Sequence, residues 1–197
     1  TGVVRLELSG GTCLEAEVAP RDPVLLLRGG GGCAVEAKPS GAYAKEAFGR
    51  GDDAWASRGI AAPEGVDRPE IRGWTQALPV DPAVCAGYRG EGGDLWVAVD
   101  RGADPHAALV ECSTLLSRAV AEGAARFSAE ARAWGAEVWA GSAKVQIPYA
   151  TLDRLYRVGM YKFAGATHPR GVPCGLQGPW IADDRIPAWA SDYHFNI

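Results

Sequence analysis

The stretch Leu152–Ile197, LDRLYRVGMYKFAGATHPRGVPCGLQGPWIADDRIPAWASDYHFNI, changes character part-way along. Its first part is periodic. Leu152, Leu155, Tyr156, Gly159, Met160 and Phe163 recur at i, i+3, i+4, i+7, i+8 and i+11, which predicts an amphipathic helix over 149–165. Asp153, Arg154, Arg157 and Lys162 lie off that stripe, and Asp153 to Arg157 is a favourable i,i+4 pair. The pattern describes a core helix with one wet face; a substrate-facing helix is the functional alternative. From Thr167 the period is lost. Pro169, Pro173, Pro179 and Pro187, with Gly171, Gly175 and Gly178, break the backbone, yet Trp180, Trp189, Tyr193 and Phe195 are interleaved with them. Large aromatics in an irregular segment mean that it packs or forms a wall. Ring faces beside Gln177, Asp183, Asp184, Asp192, His194 and Asn196 suit a sugar, whose C–H faces stack while its hydroxyls take short donors and acceptors. A structural loop whose tryptophans plug a domain interface is the competing reading.

Upstream, residues 1–103 carry short strand signals set between glycine and proline turns. VVRLEL and CLEAEV alternate, PVLLLR reads as a strand buried on both faces, and GWTQALPV, AVCAGYR and DLWVAV follow, the last after the turn GEGG. The spacing favours an antiparallel β-sandwich. RGGGG and the segment 48–70 read as loops, and Trp55 in the longer one is placed to project towards another part of the molecule. TGVVRLELSG itself reads as the interior of a β-rich region rather than as a beginning.

Composition changes at residue 104. Asp104 is suited to cap a helix and Pro105 to open it, and Leu109, Cys112, Leu116 and Ala119 recur at helical spacing. Gly123 weakens the run. Ser128 is suited to cap a second helix carrying Ala131, Trp134 and Val138. The two helices over 104–146 read as a connector between a strand-rich region and a helical one, so the fold class is α+β and multidomain.

The chain has 24 acidic and 20 basic residues, a net charge of −4, and no Lys/Arg block, which argues against nucleic acid or an anionic membrane surface as a partner. No apolar run reaches the length of a membrane span. The five cysteines, Cys13, Cys33, Cys85, Cys112 and Cys174, form no C-x-x-C, and with three histidines they argue against zinc; most read as buried small residues, which favours a reducing, cytoplasmic setting while a secreted or periplasmic one stays open. No metal or cofactor is called for. GGGG lacks the lysine of a phosphate-binding loop. His106 reads as solvent-facing in the first turn of a helix, and His168 as fixing the loop backbone before Pro169.

The residues from 152 onward strongly resemble the entry to the catalytic domain of glycoside hydrolase family 95, whose activities include α-L-fucosidase. The resemblance is carried by Leu152, Leu155, Tyr156, Gly159 and Tyr161 on the helix. It continues through Pro173, Leu176, Gln177, Gly178 and Trp180, then Pro187, Trp189, Ser191, Tyr193, His194 and Asn196. It implies an order of β-sandwich (1–103, in part), linker helices (104–146) and the start of an (α/α)6 barrel (147–197). It also implies that His194 and Asn196 lie in the sugar pocket, the asparagine helping to activate water. Trp180, Trp189, Gln177 and Asp192 are then candidates for substrate binding. The chain departs from the family in Cys174-Gly175 before Leu176, and in Ile181 followed by Asp183 and Asp184 after the tryptophan, which bears on substrate more than on fold.

Inverting glycoside hydrolysis uses a carboxylic acid for the leaving oxygen and a carboxylate for the water, roughly 6.5–9.5 Å apart. The resemblance puts that pair on later barrel helices, outside this chain. The expected partners are therefore a carbohydrate substrate and the rest of the same polypeptide or a complementing chain. A non-catalytic carbohydrate-binding or assembly module, and a related (α/α)6 disaccharide phosphorylase, are the alternatives.

Overall fold

The computed structural model describes residues 3–7, 13–33, 35 and 59–166. Its strands are β1 (Val3–Glu7), β2 (Cys13–Val18), β3 (Val24–Arg28), β4 (Glu64–Arg68), β5 (Ile71–Gln76), β6 (Ala83–Glu91) and β7 (Asp94–Gly102). Two helices follow, α1 (Pro105–Gly141) and α2 (Ala150–Ala166). The strands form one seven-stranded sheet in the order β1-β2-β3-β7-β6-β5-β4, with every neighbouring pair antiparallel. The α+β class and the antiparallel pairing match the sequence reading. The described strands lie in a single sheet, and the partner covering one of its faces is a helix; the second sheet expected of a sandwich is not found among the described residues.

Alternation within the strands gives each face its character. β6 and β7 join through Gly92–Gly93, in register from Glu91↔Asp94 to Ala83↔Gly102. On the inner face Val24, Leu26, Ile71, Cys85, Trp96 and Ala98 are buried against Ala108, Leu109, Cys112, Leu116 and Phe127 of α1. β3 was expected to be buried on both faces; Val24 and Leu26 are buried, whereas Leu25 and Leu27 are half-buried. One strand was missed. EGVDR falls within 48–70, which was read as a loop, and its single β-branched residue among charges and a glycine carries little strand signal. It is a strand because the two-residue Pro69–Glu70 turn folds it onto β5, pairing Arg68 with Ile71 and Glu64 with Thr75.

Small residues let α1 come close. Gly87 and Ala98 stand side by side across β6 and β7. Above them the Cys112 thiol donates to the Ala98 carbonyl at 3.4 Å. A Cβ on Gly87 would lie 2.3 Å from Ile71 Cδ1 and 3.3 Å from Cys112 Sγ, so a larger residue there would displace the Ile71 side chain and crowd the helix contact. Trp96 and Phe127 meet edge to face, with ring centroids 5.4 Å apart and planes at 89°.

α1 begins as its sequence predicts: the Asp104 carboxylate accepts from the Ala107 N–H at 2.8 Å, and Pro105 opens the first turn. At Gly123 (φ 81, ψ 158) the backbone leaves the helical region and the helix kinks, a conformation closed to residues with a Cβ. The expected weak point at Gly123 is thus a real break. One other expectation needs correction. Ser128 is not a cap; it is buried within the helix, where its hydroxyl donates to Glu17 Oε2 and accepts from Arg28 Nη2. The buried apolar residues of α1 from Ala108 to Phe127 belong to the same core as the sheet, and beyond Ser128 no residue of α1 is buried.

Glu17 is buried on β2, and Arg28 on β3 also donates to the Ala124 carbonyl at 2.9 Å and lies 3.7 Å from Glu17. A buried carboxylate is tolerated here because a hydroxyl and a guanidinium meet it. Replacing Ser128 by alanine removes the closest donor and is expected to lower stability by about 1–3 kcal/mol in urea unfolding. Arg118→Ala, which breaks the exposed 2.7 Å pair with Asp22, is expected to cost less than about 1 kcal/mol. Equal effects of the two substitutions would show that the Glu17 network does not hold α1 to the sheet.

Candidate functional site

The residues on which the sequence reading places the sugar pocket, Gln177, Trp180, Trp189, Asp192, His194 and Asn196, all lie outside the described residues. So do Trp55, His168, Cys174, Asp183 and Asp184. The structure reaches the motif only as far as its entry helix, α2.

α2 follows the segment 142–149 after α1. Ser142 closes α1 by donating its N–H to the Trp139 carbonyl and its hydroxyl to the Val138 carbonyl, at 3.4 and 2.6 Å. The Tyr156 phenol donates to the Ala143 carbonyl, tying α2 to that connection. The expected Asp153–Arg157 pair forms, with Arg157 Nε donating to Asp153 Oδ2 at 2.7 Å. Among the described residues the apolar stripe is not buried. No residue of α2 is buried; Leu152 and Leu155 keep 51% and 61% of their surface, and Tyr156 and Met160 are half-buried. The described residues therefore supply the amphipathic helix without covering its apolar face.

Two hollows lie elsewhere. The first, about 490 Å³, is bounded by the β4–β5 pair and the start of α1, and is lined in part by Glu64, Arg68, Thr75, Asp104, His106 and Leu109. His106 is exposed, as expected from its place in the first turn. Two carboxylates border this hollow, but Asp104 is engaged as the helix cap, which leaves Glu64 without the second free carboxyl that inverting hydrolysis needs. The second hollow, about 410 Å³, is lined by Val35, Val66, Asp67, Arg72, Gly73 and Tyr88. The sequence reading missed it because Asp67 sits in the segment taken for a loop. The near-symmetric placing of Asp67 and Arg72 about Pro69–Glu70 was the available signal.

Among the described residues no three His, Cys, Asp or Glu side chains converge on a metal position. Cys85 and Cys112 are buried as expected, whereas Cys13 is half-buried and Cys33 exposed. A hydrogen bond with Cys85, reinforced by burial, pushes the Cys112 thiol well above the ordinary range, so it stays protonated in the core. No described helix is long and apolar enough to cross a membrane.

The exposed stripe of α2 gives a direct expectation. Leu155→Ala should change stability by less than about 0.5 kcal/mol, while Leu116→Ala, on the fully buried face of α1 against the sheet, should cost about 2–5 kcal/mol. A large loss at Leu155 would mean that its side chain is covered. Comparison with models of known families, with characterised proteins and with solved structures finds no match to this chain.

Proposed function

We propose that this chain is part of a glycoside hydrolase resembling family 95, an inverting α-L-fucosidase-like enzyme that removes terminal sugars from oligo- or polysaccharides. The observation that carries the reading is the run of spaced residues from Leu152 to Asn196, which keeps its register across two proline-broken loops. In this reading residues 1–103 are part of a β-sandwich and α2 is the first helix of an (α/α)6 barrel. Two features of the fold support it. The sheet face opposite α1 carries half-buried Leu25, Leu27 and Val97 with exposed Val18 and Val99, an apolar surface suited to a second sheet. Leu152 and Leu155 on the apolar stripe of α2 are exposed, in keeping with a helix whose companions come from further helices.

The roles follow from the chemistry. Trp180 and Trp189 form apolar walls for the sugar ring, and Gln177, Asp192 and His194 hydrogen-bond its hydroxyls. Asn196 orients the water that attacks the anomeric carbon. A carboxylate on a later barrel helix takes that water's proton while a carboxylic acid protonates the leaving oxygen, so the configuration inverts.

The test is turnover of an aryl α-L-fucoside panel by the full-length protein, by the 1–197 segment and by the full-length Asn196→Ala variant. The segment alone should be inactive, and Asn196→Ala should lower kcat by about 10²–10⁴-fold. Normal turnover by the segment, or an unchanged kcat in the variant, would remove the assignment.

A further inference from the structure

The strand registers align one row of residues across the face opposite α1. Asp67 pairs with Arg72, Arg72 with Tyr88, Tyr88 with Val97, Val97 with Leu25, and Leu25 with Val18. The row is apolar over β2, β3 and β7 and becomes polar and aromatic over β6, β5 and β4. At that polar end lies the 410 Å³ hollow. Arg72 Nε donates to Asp67 Oδ1 at 3.0 Å, and both side chains remain largely in water, 66% and 84% exposed. Such a pair contributes little to stability, at most about 1 kcal/mol, so the fold does not account for it. Trp74, two residues along β5 from Arg72, falls on the same face beside this row.

From this arrangement we infer that the hollow is a subsite for a neutral glycan, separate from the barrel pocket. The pair offers carboxylate acceptors and guanidinium donors fixed in one another's geometry, which suits the adjacent hydroxyls of a pyranose. Tyr88 supplies a ring against which the C–H face of the sugar lies, and a phenol as a further polar partner. Among the described lining residues Asp67 and Arg72 are the charged ones, and their charges offset each other. Its open form suits one section of a longer polysaccharide whose remaining surface stays wet. The inference rests on the glycosidase reading only for the class of ligand, and it fails separately.

The experiment is affinity gel electrophoresis of the full-length protein in soluble xylan, galactomannan and xyloglucan, run beside the aryl fucoside assay. The expected result is retardation in at least one polysaccharide. The retardation weakens about tenfold in apparent affinity in Tyr88→Ala and falls measurably in Asp67→Asn, with fucoside turnover unchanged. Asp67→Asn keeps a folded control, because the pair is exposed. No retardation of the wild type, or equal retardation of wild type and both variants, overturns the subsite. Retained turnover without retardation sinks the subsite alone, and Tyr88-dependent retardation without turnover sinks the glycosidase reading alone.

Discussion

The close seating of α1 on the sheet is the constraint on which the described structure depends. Gly87 and Ala98 leave a shallow trough, and Cys112 reaches down to the Ala98 carbonyl within it. That approach brings Leu116, Ala119 and Phe127 onto the same apolar surface, and the burial of these side chains drives the association. The kink at Gly123 follows from the same requirement. It lets the helix carry Phe127 to Trp96 and Ser128 to Glu17, with Arg28 closing the contact from the sheet. One face of the sheet is thereby committed to the helix.

The other face has two halves of different character. Its apolar half is suited to a second sheet, and its polar half, over β4 to β6, holds the Asp67–Arg72 pair and Tyr88. The helix that leaves the core at Ser128 runs on without burying further residues, through Ser142 and Tyr156, into α2. The proposed sugar pocket begins where α2 ends.

Much of this fold was legible in the sequence. β1 and β2 followed from alternation, β3 from its apolar run, the start of α1 from Asp104 and Pro105, and the break from Gly123, because each is dictated by local backbone chemistry. β4 was not legible, since EGVDR is a strand only through its pairing with β5. The role of Ser128 was hidden for the same reason: its partners, Glu17 and Arg28, are about a hundred positions away, and no local pattern announces them. The exposed stripe of α2 looked like a core face because periodicity reports amphipathicity without saying what covers it. The candidate pocket was read from residue types and spacing, and its residues lie beyond those described.

The central claim is that the aromatic and polar residues after α2 face a common sugar-binding cavity. The most direct measurement is a crystal structure of the full-length protein soaked with L-fucose. The account predicts His194 and Asn196 within hydrogen-bonding distance of the sugar, with Trp180 and Trp189 walling the cavity. His194 and Asn196 turned to solvent, or sealed in an apolar interior far from any bound sugar, would contradict it.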